Sequence, residues 1–181
     1  PTMTAMQDNQ WTEHYPISAL NNTAPMEFII PAQTEKWTDL NQSYLYLKVK
    51  VVLGDGTDLQ GDTRASTVNN FFHSLFSSVD LYLNNKLVSN TSDTYPYKAY
   101  LENLLSFSSD VKTAPLKPME LWIKDTPTHM QTHANDGNNA GYIGRRAEIH
   151  ESRTLELAGR LHLDLFLQEK YLPNGVEMRL R

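Results

Sequence analysis

Cysteine is absent from this chain of 181 residues, so no disulfide framework, cysteine-based zinc site, thiol nucleophile or iron–sulfur centre is available to it. Positive charge is scarce as well: 16 Lys+Arg stand against 21 Asp+Glu, a net charge of −5. Coating bare nucleic acid requires a cationic face that neutralises phosphates, and this balance does not supply one. No apolar run approaches the roughly 18 residues that a membrane-spanning helix needs, and Pro1 to Gln10 lack the basic and apolar segments of a secretory leader. Also missing are a Gly-x-Ser-x-Gly nucleophile elbow, a phosphate-cradling glycine-rich loop and a His-x-His pair. The expectation is a protein that is not an enzyme and holds neither cofactor nor metal.

What is present suffices for a core. Hydrophobic residues make up 40% of the chain, and a chain of this length can bury roughly 70% of its unfolded surface without covalent staples. The dominant pattern is period-two alternation, which puts apolar side chains on one face of a strand. Leu45, Leu47, Val49, Val51 and Leu53 alternate with Tyr44, Tyr46 and Lys48, predicting a long half-buried strand. Val79, Leu81 and Leu83 lead through Asn84-Asn85 into Leu87-Val88, the signature of a hairpin. Leu161, Leu163, Leu165 and Leu167 alternate in the same way, with Gly159 marking a bend after Leu155 and Leu157. Val176, Met178 and Leu180 form a last strand, and Met26 to Ile30, bracketed by Pro25 and Pro31, reads as an edge strand.

Helical spacing is clear once, at Tyr97, Tyr100, Leu101, Leu104 and Leu105, with Thr94 as N-cap and Pro96 in the first turn. A shorter helix is expected within 68–76. Residues 114–144 lack periodicity and read as extended connections with one strand at Leu121-Trp122-Ile123. The fold class expected from these elements is all-β: an antiparallel sandwich or barrel with one or two short helices in its loops.

Polar constellations offer little chemistry. Asp125, His129 and His133 have metal-ligand spacing only if they lie on one helix, and Pro127 opposes that helix. His162 and Asp164 share the polar face of a predicted strand. Arg145-Arg146, followed by Glu148 and Glu151, suits a solvated or intersubunit ion-pair role. Aromatic residues are the better contact candidates. Trp11, Tyr44, Tyr46 and Tyr82 fall near turns or on polar strand faces, where interface contact and ordinary packing are both open. With Arg145 and Arg146 they form the candidate set of intersubunit contacts.

The runs Val68-Asn69-Asn70-Phe71-Phe72-His73-Ser74-Leu75-Phe76-Ser77-Ser78-Val79-Asp80, Thr94-Tyr95-Pro96-Tyr97-Lys98-Ala99-Tyr100-Leu101-Glu102, Lys124-Asp125-Thr126-Pro127 and Gly159-Arg160-Leu161-His162-Leu163-Asp164 carry a further signal. Together with Pro25 to Ile29 and Tyr44 to Lys48 they resemble the N-terminal half of the hexon-like major capsid proteins of Polinton (Maverick) elements and adintoviruses. The resemblance runs from about Trp11 to Arg181. It implies an eight-stranded jelly-roll sandwich over residues 25–181 behind an N-terminal arm at 1–24, the first of two rolls in one polypeptide. It also implies trimers tiling an icosahedral shell, with copies of itself and other capsid proteins as partners. Assembly in the host cell and residence in the virion follow, without secretion, specific nucleic-acid binding or a membrane span. A single-roll penton-type protein and a carbohydrate-binding β-sandwich module are the alternatives.

Overall fold

A computed structural model of the chain describes residues 8–18, 24–134 and 137–181. The chain forms two compact units whose segments interleave. One comprises Pro1–Thr38, Asp80–Asn90 and Leu172–Arg181, and the other Asp39–Val79 and Thr91–Tyr171.

The first unit is built on a four-stranded antiparallel sheet. Its strands are β1 (Phe28–Ile30), β3 (Leu81–Leu83), β4 (Lys86–Ser89) and β6 (Met178–Leu180), in the order β1-β6-β3-β4. The hairpin between β3 and β4 forms as predicted. Asn84 and Asn85 take φ of 46° and 63°, the left-handed pair that a two-residue turn demands and that asparagine tolerates. β1 occupies a sheet edge, where a strand flanked by prolines loses no ladder bonds. Reciprocal backbone bonds between Asp80 and Arg181, at 2.8 and 3.0 Å, carry the pairing past β6.

The second unit holds a two-stranded sheet. Strand β2 (Leu45–Val49) pairs antiparallel with β5 (Leu155–Gly159) in unbroken register, Leu45 opposite Gly159 and Val49 opposite Leu155. Leu45, Leu47 and Val49 pack with Leu155, Leu157, Leu59, Phe72, Leu121 and Ile149 as the principal apolar core. Each such side chain contributes about 1.5–3 kcal/mol when fully buried. On the outer face Lys48 meets its registered partner Glu156 at 3.0 Å, an exposed pair of little energetic consequence. β2 is shorter than the alternation suggested. After Val49 the chain turns away, held by the Ser152 hydroxyl, which donates to the Val51 carbonyl at 2.6 Å and accepts from the Leu59 N–H at 2.8 Å.

Five described helices belong to this unit: α1 (Phe71–Ser74), α2 (Tyr95–Ser106), α3 (Ser109–Thr113), α4 (Leu116–Glu120) and α5 (Ala140–Glu148). α2 begins with Pro96 in its first turn as expected, although the Thr94 hydroxyl bonds back to the Thr91 carbonyl rather than to the helix. α4 and the first half of α5 occupy the stretch at 114–144 expected to be extended, and α3 lies just before it. Ser108 caps α3 through the Val111 N–H, and Asn139 caps α5 through the Tyr142 N–H. Leu121 ends α4 in the left-handed region at φ 56°, so the Leu121-Trp122-Ile123 strand does not form.

The eight-stranded jelly-roll sandwich is therefore not the fold. Six strands in two small sheets and five helices stand in its place among the described residues. The failure lies at Leu161 to Leu167, where the chain turns instead of pairing and the Phe166 N–H bonds to the Leu163 carbonyl at 2.8 Å. Leu161, His162 and Leu163 are buried in succession, which a strand with one solvated face does not allow.

Gly159 ends β5 for a steric reason: a Cβ there would lie 2.6 Å from the Phe72 ring. Gly159→Val is expected to destabilise the second unit by about 1–3 kcal/mol through overpacking. Thermal unfolding monitored by circular dichroism checks this, and an unchanged midpoint would show that Phe72 has room to move.

Candidate functional site

The second unit encloses a cluster of polar side chains from four segments. The apolar run through Phe71 and Phe72 places His73 inward on α1, where it is fully buried. Tyr95, Ala99 and Asn103, four residues apart, form the inner line of α2 and are also fully buried. Glu120 arrives from the end of α4, and His162 from the segment after β5. Asn70, in the left-handed conformation at φ 61°, precedes α1.

These groups contact one another. His73 Nδ1 lies 3.0 Å from the Tyr95 hydroxyl, and its Nε2 lies 3.3 Å from Glu120 Oε2, off good hydrogen-bond geometry. Asn103 Nδ2 donates to Glu120 Oε2 at 2.7 Å and to Asn70 Oδ1 at 3.2 Å. His162 Nδ1 bonds Glu102 Oε2 at 2.6 Å, and the His162 N–H donates to the Tyr95 hydroxyl at 3.4 Å. The two imidazoles meet edge to face with centroids 4.7 Å apart. At the rim, Lys98 bridges Asp164 at 2.6 Å and Glu102 at 3.8 Å.

Burial sets the proton affinities. It raises the Tyr95 phenol above its ordinary value, with the Glu120 and Glu102 carboxylates adding to the rise and the His162 N–H opposing it. Burial likewise lowers the His162 imidazole, the neighbouring His73 lowers it further, and Glu102 partly restores it. Tyrosine, histidine and carboxylate in series are the parts of a proton relay, but such a relay needs access to a substrate. His73, Tyr95 and Asn103 are sealed from solvent, and two surface cavities of this unit, one beside Leu59 and Arg146 and one beside Thr67 and Arg145, are lined by no member of this cluster. The arrangement ties α1, α2, α4 and the segment after β5 together. Among the described residues, no group of three or more His, Asp or Glu side chains is disposed to hold a metal ion. Asp125, His129 and His133 lie on a loop.

The candidate contacts are scattered. Arg145 is only 4% exposed. Its guanidinium donates to the Thr67 carbonyl at 2.7 Å, to the Ile123 carbonyl and to Asp125 Oδ1 at 2.8 Å. Arg146 reaches back to the carbonyls of Thr63 and Gly61. Both arginines thus anchor α5 to loops of their own unit. Tyr46 is exposed on the outer face of β2 and Tyr44 is exposed just before it, in line with the alternation, with Arg160 above the Tyr44 ring at 5.3 Å. In the first unit Tyr82 carries Arg179 at 4.8 Å over its ring, while Trp11 and Trp37 are exposed. Trp122 is buried and stacks on Tyr100 at 5.0 Å.

Sequence reasoning missed the cluster around His73, Asn103 and Glu120. The available signal was a lone histidine inside an aromatic run and an asparagine eight residues after Tyr95, at helical spacing.

No protein-family profile and no solved structure matches this chain. An uncharacterized protein of Caenorhabditis elegans is 25% identical to it over 189 aligned positions, which cover 99% of this chain. The chain spans 42% of that relative's length. No described helix is long and apolar enough to cross a membrane.

Proposed function

We propose that this chain is a structural subunit of a virion shell, a hexon-like major capsid polypeptide that assembles with copies of itself into trimeric capsomers. One observation carries the proposal: the histidine–carboxylate cluster is turned inward while a set of large aromatic and aliphatic side chains is left exposed. His73, His162, Glu102 and Glu120 of the second unit are engaged in internal contacts, whereas Tyr44, Tyr46, Tyr97, Leu101 and Leu105 of that unit, and Trp11, Tyr15 and Trp37 of the other, are exposed. Single exposed apolar residues are ordinary, but aromatic side chains in this number suit a protein-binding surface.

The resemblance to capsid proteins supplies the kind of assembly. Its most particular runs contain Asn70, His73, Tyr95, Glu102 and His162, the residues that fasten α1 and α2. Under this proposal those motifs maintain the shape of a building block and perform no chemistry. The capsid role needs no jelly roll in this part of the polypeptide; it needs a rigid unit with adhesive faces. The shell is put together inside the host cell, and the contacts are with copies of the chain and with other capsid proteins.

Multi-angle light scattering across a range of concentrations is expected to show association beyond the monomer, with trimers the predominant species for the full-length product. A strictly monomeric species at the highest attainable concentration would sink the proposal.

A further inference from the structure

The cavity beside Thr67 and Arg145 has a volume of about 240 Å³ and lies wholly within the second unit. Its walls come from residues 66–69, from the loop at 125–133 and from one face of α5. Asn139, Tyr142 and Arg145 recur every three residues and so share that face, and none is more than 5% exposed.

The walls are braced by bonds of their own. The Ser66 hydroxyl donates to the Tyr142 carbonyl at 3.0 Å and Arg145 Nε to the Thr67 carbonyl at 2.7 Å, which fastens 66–69 to α5. Asn139 accepts from the Thr126 N–H at 3.1 Å and donates to Asp125 Oδ1 at 2.9 Å, which fastens the loop. A site braced in advance loses little affinity to ordering when it is filled.

Three groups are left over from this bracing. Thr67 Oγ1, Asn69 Oδ1 and the Tyr142 hydroxyl are closed to solvent and have no hydrogen-bond partner, and all three residues line the one cavity. Buried polar groups are nearly always paired, and one left bare is costly, so three around a single cavity call for a partner within it.

The remaining chemistry selects that partner. Asp125 pairs with Arg145 at 2.8 Å, and each guanidinium nitrogen already donates once, so the pair leaves no net charge for an ionic ligand. The start of α5 is occupied too: the Ala140 N–H donates to the Thr126 hydroxyl and the Tyr142 N–H to Asn139 Oδ1. What remains is two hydroxyls, which donate or accept, and one amide oxygen, which only accepts. Groups that both donate and accept answer all three, a requirement that the hydroxyls of a sugar meet. Val68, Met130 and His133 line the same cavity and are exposed, offering surface to the C–H faces of a ring. The volume falls below the range of about 300–1,000 Å³ that drug-sized ligands occupy, which suits a single ring.

We propose that this cavity binds one neutral sugar ring, free or at the end of a glycan chain, through Thr67, Asn69 and Tyr142. Because the three atoms are closed to solvent, entry of the ring requires lining side chains to give way; Met130, unbranched and 59% exposed, is the most adaptable of them. The site is independent of the assembly role, since a chain that never associates carries it equally.

Glucose, galactose, mannose and N-acetylglucosamine are the probes, each titrated into the isotopically labelled chain and followed by amide chemical shifts. At least one is expected to bind with a Kd on the order of 1 mM, the strength open to so small and well-solvated a ligand, with shifts centred on 66–69 and the first turns of α5. Tyr142→Phe and Thr67→Val each remove one unpartnered hydroxyl, should keep the circular dichroism spectrum, and are expected to weaken binding about tenfold. If Tyr142→Phe does not fold, Thr67→Val alone carries the comparison. Retention on an array of glycans ending in the same sugar assigns the site to glycan ends, and binding of the free sugar alone assigns it to a soluble ligand; either upholds the site. No shift with any of the four sugars at about tenfold the expected Kd overturns the proposal, as does binding undiminished in the folded variants. Saturating shifts at these residues with inorganic phosphate or acetamide, and not with a sugar, overturn it as well.

Discussion

Glu120→Ala is expected to destabilise the helical unit by about 3–4 kcal/mol, a large fraction of the 5–15 kcal/mol that holds a typical domain folded. Glu120 is nearly buried, accepts from Asn103 at 2.7 Å and sits 3.3 Å from His73 Nε2. Removing the carboxylate takes from the buried Asn103 amide its shorter acceptor and from the His73 imidazole its neighbouring carboxylate, and leaves a void where the side chain stood. Glu120→Gln keeps the shape and one acceptor oxygen, so its cost is expected to be about 1 kcal/mol. Urea unfolding measures both, with Trp122 as the reporter after Trp11→Phe and Trp37→Phe remove the other indoles. If Glu120→Ala lies within about 0.5 kcal/mol of the parent, a spread typical of inconsequential surface changes, the cluster is not what fastens α4 to α1 and α2.

The second large effect is a loss of stability in mild acid. His162 has its imidazole held below the ordinary value of 6.5, first by burial and then by the adjacent His73, with Glu102 opposing. Above pH 6.5 this residue is neutral in both the folded and the unfolded chain, and no penalty arises. As the pH falls below 6.5 the unfolded chain takes up the proton first, so the folded state loses ground at up to about 1.4 kcal/mol per pH unit. The loss levels off once the pH passes the folded-state value. The Tyr95 phenol is shifted upward and stays protonated throughout, so it adds nothing in this range. Unfolding midpoints measured between pH 7.5 and 5 should fall for the parent and fall less steeply for His162→Gln. Parallel curves would assign the acid sensitivity to other groups.

How much of this was legible in the sequence depends on the range of the interaction concerned. The β3–β4 hairpin was legible because Asn84-Asn85 supplies both left-handed residues within the turn itself. The core face of β2 was legible because alternation is local, and the exposure of Tyr44 and Tyr46 followed from it. Alternation at Leu161 to Leu167 misled. Leu161, Leu163 and Phe166 are buried, but in a turn with no partner strand, and His162 is buried between leucines because Glu102, 60 positions earlier, satisfies it. α3, α4 and α5 were missed because they are short, and because α4 contains a proline and α5 two glycines. Their ends are fixed by Ser108, Leu121 and Asn139, and α5 lies close enough to the Lys124 backbone that a Cβ on Gly141 would clash with it.

The sequence by itself determined the strands at β2, β3, β4 and β6, the existence of α2, and the exclusion of thiol chemistry, because each depends on residue type and on neighbours within a few positions. The tertiary structure alone decided that the chain is not a jelly roll and that α2 turns its apolar stripe outward. An asparagine or a histidine becomes core material only where distant partners complete its hydrogen bonds, and Asn70, Glu120 and Glu102 are brought to Asn103 and His162 by folding. Once the polar side of α2 was satisfied within its own unit, Tyr97, Leu101 and Leu105 had only the outside to face.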